Sequence, residues 1–431
     1  MNNKKLSGFL IYIICYAISI AFSYSGHYYL SGGILGISAI VRYLQEYQKT
    51  GNPISLKGLF SLFWIGGQAI SCLKLSRLQK DWSLVTWLCF FLAYTCFCMG
   101  YEWRSRDHRK SSFPGSKRSY IRLNRLFYFI QGITLVSVIS FCIEAVLLGF
   151  IPILSEEPHA YSYFHISGVH YFTVACVLVP ALSVIYIICC RKISAVKKIQ
   201  LFLCNLFSIM IPIACVSRFH LVMMLMLAIV TYMSLRGNLK LSQIITTAVG
   251  FLIIVVPVYF FLTVARNHDV EYLNGIFEMK NSRTPIFITQ PYMYIANNYD
   301  NFNCLVEKLP SYAFGLRMLF PLWAFTGLKF RYPALTDFSI YVTKPELTTV
   351  TLFYDAYYDF GIVGILCFGF LCGVICKKLS LLTKEGRNPL IHLFYGQMAI
   401  YMVLSFFTTW FSNPATWFWF GITAIVYWFV G

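Results

Sequence analysis

The first chemical signal in this sequence is a set of arginines placed where apolar runs stop. Arg218 stands at the tip of a hairpin whose two arms carry no other Lys, Arg, Asp or Glu. Arg266 opens the polar run Arg266-Asn267-His268-Asp269, and Arg283, Arg317 and Arg331 follow in the same polar stretch. A guanidinium is a planar fork of donors that matches phosphate oxygens. Arginines gathered at a membrane boundary therefore suit a phosphate or diphosphate ligand. Each also has a plain reading: Arg218 snorkelling to headgroups, and Arg266 as a helix-end group in solvent. Arg317 is the most constrained, because it lies in an apolar dip at 313–328. There it must face protein interior, a water cavity or headgroups.

Proton-transfer candidates lie close to these cations. His268 is two residues from Arg266, pairing an anion clamp with a proton acceptor. His220 begins an apolar segment beside Arg218, where the plain reading is a packed or interfacial histidine. Asp355 and Asp359 are four apart and share one helix face. They suit either a base or the stabilisation of a helix N-terminus. Glu144 lies about 28 Å along its helix from Arg125, at ~1.5 Å per residue. That puts it near an interface rather than mid-membrane, which argues against a proton relay.

The elements that must position these groups are apolar helices. Of 431 residues, 58% are hydrophobic and 12% charged, half the charge of an ordinary soluble domain. Apolar runs near the ~20 residues that cross hydrocarbon recur along the chain, and strand-like alternation is absent. The expected fold is an all-α polytopic membrane protein. The net charge of +18 is distributed in short links between apolar runs, as membrane topology requires. This excludes nucleic acid and leaves membrane lipids as the partner of the basic residues. Fifteen cysteines fall almost entirely inside apolar runs, without CxxC spacing, and Cys304 is alone in the polar stretch. Neither a disulfide within that stretch nor a structural metal is expected. No phosphate-binding loop, dinucleotide fingerprint, H-E-x-x-H or G-x-S-x-G occurs, so no cofactor site is expected. Any group transfer must begin from an activated substrate.

Apolar runs at 6–24, 27–41, 58–73, 82–101, 126–154, 171–190, 201–216, 219–235, 241–264, 351–376, 390–410 and 415–430 give about twelve spans by the length rule. Residues 1–265 would hold nine, 351–431 three, and 266–350 one long extracytoplasmic loop. Both termini would lie in the cytoplasm, with 42–57 and the strongly basic 104–125 as inner links. Lys74, Arg77 and Lys80 then fall on the outer side, against the usual charge bias. A long connection without low-complexity composition is usually functional, so the loop is expected to be a folded cap that holds the chemistry.

The stretch Thr348-Thr349-Val350-Thr351-Leu352-Phe353 to Tyr357-Tyr358-Asp359-Phe360-Gly361, followed by Gly364, Gly369 and Gly373, resembles the C-terminal signature of Wzy-type oligosaccharide repeat-unit polymerases. Gln290-Pro291-Tyr292-Met293-Tyr294 to Asn303 is similar to a Pro/Tyr-rich run of that family. So is Ser217-Arg218 before an apolar helix, although Phe219-His220 follows here where the family more often has a glycine. The resemblance covers 217–373. It implies a GT-C-like fold in the bacterial cytoplasmic membrane and a metal-independent transfer. The growing glycan would move from its undecaprenyl diphosphate to a sugar hydroxyl of the next lipid-linked oligosaccharide. A chain-length regulator protein is the further candidate partner. On this reading Arg218, Arg266 and Arg317 neutralise the diphosphate, and His268 or Asp355 takes the proton. Arg283, Asp359, His220 and Tyr292 contribute to substrate binding. A flippase of lipid-linked oligosaccharides and an O-antigen-ligase-like transferase remain the alternatives.

Overall fold

The computed structural model describes residues 3–103, 122–157, 160–237, 270–281, 283–386 and 388–431, with scattered positions between 242 and 257. Among the described residues the regular structure is helical, apart from one isolated bridge between Ser76 and Met279. The principal helices are α1 (Asn3–Tyr24), α2 (Tyr28–Thr50), α3 (56–71), α4 (Leu84–Glu102), α5 (Leu123–Leu148), α6 (Val169–Cys189) and α7 (Ala195–Ala214). They continue with α8 (Arg218–Arg236), α9 (Val270–Phe277), α10 (Ile286–Lys308), α11 (Tyr354–Glu385), α12 (Ile391–Val403) and α13 (Pro414–Val430).

Six of these, α4, α5, α6, α7, α8 and α11, are long and apolar enough to cross a membrane. Shorter apolar helices at Phe9–Tyr24, α12 and α13 accompany them. On α7, Val196, Ile199, Phe202, Leu203, Leu206 and Met210 are all exposed. Their spacing places them on one face, and a continuous apolar face of this kind is covered by lipid rather than water. The protein is a helical membrane protein.

Several expected segments differ in detail. The short 27–41 run and the first part of the 42–57 link, to Thr50, form one helix, α2, which ends at Gly51 in the left-handed conformation. The 58–73 run is α3, built from Leu56–Phe60, a wide turn at Ser61–Ile65, and Gly66–Ser71. The 390–410 run is helical for 13 residues and then irregular. The 241–264 run lies largely outside the described residues. The apolar dip contains the helix Phe320–Phe325, six residues long and so too short to cross.

Two packing devices fix the site. The first is the close approach of α4 and α11, where a Cβ on Gly100 would sit 2.0 Å from the Phe370 carbonyl oxygen. A Cβ on Gly373 would sit 2.1 Å from that of Phe97. The glycines therefore let the two backbones touch. The second is a break in α11 at Gly361, whose φ of 58° and ψ of −140° separate an N-terminal turn from the long apolar part. A side chain at Gly361 would also meet the Tyr312 hydroxyl.

The helix α10 binds the polar stretch to the apolar helices through its amides. Asn301 Nδ2 donates to the Leu347 and Thr349 carbonyls at 2.7 and 2.8 Å. Asn298 Oδ1 accepts from Thr349 Oγ1 at 2.6 Å, and Asn303 Oδ1 accepts from the Ser83 N–H and Thr86 Oγ1. Buried amides must be paired to be tolerated, so this ladder fixes where the segment 343–349 enters α11.

Candidate functional site

One end of the helix bundle gathers the links 72–83, 149–168 and 215–217 with the loop that precedes α11. Among the described residues, two of the polar constellations there are candidates for a site.

The first joins Arg317 to the N-terminal turn of α11. Arg317 Nε donates to Asp355 Oδ1 at 2.7 Å, and its guanidinium lies 4.5 Å from the centre of the Tyr358 ring. Asp359 accepts the backbone N–H groups of Arg317 at 3.2 Å and Met318 at 2.8 Å. Ala313 and Phe314 donate to the carbonyls of Tyr358 and Asp359. The loop is thus held by backbone and side chain together, on the helix face that Asp355 and Asp359 share. Burial disfavours the guanidinium charge, but the Asp355 carboxylate more than offsets this and holds Arg317 above its ordinary value. The Arg317 side chain keeps 17% exposure, and its Nη groups make no hydrogen bond among the described residues. A buried-stem arginine with two free donor groups is equipped to meet an anion.

The second constellation is a cavity of about 330 Å³ between α6, α7, α8 and the 160–168 link. His165, His170, Ser217, His220 and Lys329 line it. Glu144 of α5, fully buried, lies behind His170 and accepts from its Nδ1 at 3.0 Å. The same carboxylate accepts from the Ile166 N–H at 2.9 Å and Thr173 Oγ1 at 2.7 Å. His170 stands where α6 begins, just before a tighter turn at Val174–Leu178. Pro180 accounts for that turn: it has no N–H, and its ring excludes the carbonyl four residues back. His220 Nδ1 pairs with Ser217 Oγ at 2.7 Å across the first turn of α8. The imidazoles are spaced, with His170 6.4 Å from His165 and 6.5 Å from His220 between ring centres. Among the described residues no group of three His, Cys, Asp or Glu side chains is placed to hold a metal ion.

The other expected site residues fall as follows. Arg218 is buried at the first residue of α8, next to the cavity-lining Ser217. Arg283 is exposed in the turn before α10. Tyr292 is buried. Its hydroxyl donates to Gln79 Oε1 at 2.5 Å and accepts from the Leu75 N–H at 2.9 Å, so it ties α10 to the 72–83 link. Arg266 and His268 lie outside the described residues. Arg317, Asp355 and Asp359 are brought together, and His220 joins a different group that includes His170 and Glu144.

The misplaced charge of Lys74 also has a cause. Its Nζ lies 2.9 Å from Asp300 Oδ1, both side chains being almost fully buried. Asp300 also accepts from Gln79 Nε2 at 2.7 Å and Trp82 Nε1 at 2.8 Å. The carboxylate is thereby satisfied and acts as a structural anchor for the link.

No protein-family model, curated protein or solved structure matches this chain. The helices and the polar constellations define the class directly: a helical membrane protein with a charged, cavity-bearing site at one end of its bundle.

Proposed function

We propose that this protein is a GT-C-like glycosyltransferase of about twelve spans that polymerises lipid-diphosphate-linked oligosaccharide repeats in the bacterial cytoplasmic membrane. The growing glycan leaves its undecaprenyl diphosphate and is joined to a sugar hydroxyl of the incoming unit, on the extracytoplasmic side. The termini lie in the cytoplasm, and a chain-length regulator is a partner class compatible with such a product.

The observation that carries this reading is the largely buried Arg317, held by Asp355 and with no hydrogen bond to its Nη groups among the described residues, at the junction of polar loop and apolar helix. A lipid diphosphate needs both environments at once: hydrocarbon for its tail, and fixed donors where negative charge develops as the sugar departs. The resemblance of 348–373 to the Wzy-type signature supports the same reading. Its Asp359 and Gly361 have defined roles at this junction: one receives the loop, and the other breaks the helix. Arg218, next in sequence to the cavity-lining Ser217, is a second cation at this end of the bundle.

The test is to incubate the purified protein with lipid-diphosphate oligosaccharides extracted from the native strain. A ladder of lengthened glycans is the expected product. Transfer to a different acceptor would instead define a ligase. Movement of unaltered lipid across vesicles would define a flippase.

A further inference from the structure

We infer that the Glu144–His170 pair makes the cavity between α6 and α8 the acceptor subsite, with His170 as the group that takes the proton from the acceptor sugar hydroxyl. This rests on the polymerase reading and assigns that reaction a base.

The geometry carries the assignment. A carboxylate is buried without exposure inside an apolar helix, a placement that a chain tolerates only when the group is well hydrogen-bonded. Glu144 meets that demand with three donors, one of them the His170 ring. Because Glu144 is an acceptor, the proton of neutral His170 is fixed on Nδ1, which leaves the Nε2 lone pair as the basic site. Nε2 makes no hydrogen bond among the described residues, and the His170 side chain is 29% exposed where it lines the cavity. An imidazole with one nitrogen locked by a buried carboxylate and the other open to a cleft is the arrangement that accepts a proton and stabilises the resulting imidazolium.

The cavity suits a sugar. Its volume of about 330 Å³ falls within the ~300–1,000 Å³ of small-molecule clefts. Tyr161, Phe164 and Tyr171 offer apolar faces for a pyranose ring, and Ser167 offers a hydroxyl for its polar edge. Lys329 reaches the same cavity from the loop, so positive charge borders the acceptor position. The loop from Arg317 to Lys329 links the two constellations. Its helix Phe320–Phe325 packs on α13, and Phe325 meets Tyr171 edge to face, 5.6 Å between ring centres.

The step balances as follows. The acceptor hydroxyl gives its proton to His170 Nε2, and its oxygen forms the new glycosidic bond to the donor's anomeric carbon. The bond from that carbon to the diphosphate oxygen breaks, and its electron pair leaves with the lipid diphosphate. The imidazolium, held by Glu144, then releases its proton to water.

The experiment measures kcat and KM of the purified full-length protein on native lipid-diphosphate oligosaccharides, with His170→Ala and Glu144→Gln beside the wild type. The expected result for His170→Ala is a fall in kcat of about 100-fold with KM unchanged, partly restored by added imidazole. Glu144→Gln keeps an acceptor near His170 but loses the charge, so its kcat also falls while KM holds. Thermal unfolding of each variant in detergent reports whether the fold persists. If Glu144→Gln folds and lowers kcat, the assignment stands even where His170→Ala does not fold. A variant kcat within about threefold of wild type overturns the inference and leaves the polymerase reading intact. So does a loss confined to KM, or one that imidazole does not restore in a folded His170→Ala. A folded wild type that lengthens no glycan overturns the polymerase reading, and this inference with it.

Discussion

Arg317 Nε and Asp355 Oδ1 stand 2.7 Å apart across 38 residues of sequence, and this pair joins the loop to the helix that anchors it. Asp355 fixes the Nε edge of the guanidinium, and among the described residues the Nη groups make no hydrogen bond. Orientation rather than charge alone is therefore the function of the pair. Arg317→Lys keeps the charge but loses the planar fork, so on the proposed polymerase reading it should lose most transferase activity while the protein still reaches the membrane. Asp355→Asn should cost about 1.5–3 kcal/mol of stability, toward the lower end because Arg317 retains some water. Thermal unfolding and glycan length distributions check both.

Asp359 acts on the backbone. Its carboxylate receives the N–H groups of Arg317 and Met318, and Asp359→Ala would leave both without a partner. The expected outcome is faster amide hydrogen exchange across 313–319, with the apolar part of α11 unchanged. Asp359→Asn retains an acceptor oxygen and should give a smaller effect. Equal exchange in wild type and Asp359→Ala would contradict the assigned role.

Lys74→Ala should be severe for a different reason. It leaves Asp300 charged and almost fully buried, a change that typically costs about 3–5 kcal/mol. Adding Asp300→Asn to Lys74→Ala removes the stranded charge and should recover part of the loss, although Gln79 and Trp82 donate to different oxygens and only one of them keeps an acceptor. Membrane yield and unfolding temperature of the single and double variants report the difference.

At the contact of α4 and α11, Gly373→Ala should push the helices apart, since its Cβ would lie 2.1 Å from a backbone oxygen. Overpacking of this kind costs about 1–3 kcal/mol. Gly132→Ala, on α5 with nothing within 4 Å of a Cβ, is the control and should not destabilise. The unfolding temperatures of the two variants decide the matter.

These cases show what a sequence alone can and cannot supply. The helical membrane character follows from apolar runs and sparse charge, because hydrocarbon imposes the same demand on every segment. Arg317 and the Asp355–Asp359 pair could be singled out because a charge in an apolar setting needs a reason, although their meeting is a tertiary fact. Lys74 announced itself by opposing the charge bias, but its partner Asp300 lies 226 residues away. The break at Gly361 leaves no periodicity signal, since the residues on either side are apolar and helical. His170 was missed because a single histidine beside Tyr171 looks like the end of a span. The available clue was Glu144: its position near an interface argued against a relay, yet a buried acid in an apolar helix still requires a donor, and the adjacent link holds His165 and His170. Tyr292, drawn into the site by resemblance, is occupied by Gln79 and Leu75, contacts that no local pattern encodes.

The most direct measurement is the release of lipid diphosphate by the purified wild type and Arg317→Ala, quantified against glycosidic bonds formed. The account predicts one lipid diphosphate released per bond in the wild type. It predicts almost none in a folded, membrane-inserted Arg317→Ala. Lipid-linked oligosaccharide that remains intact with the wild type, or equal release by both proteins, would contradict it.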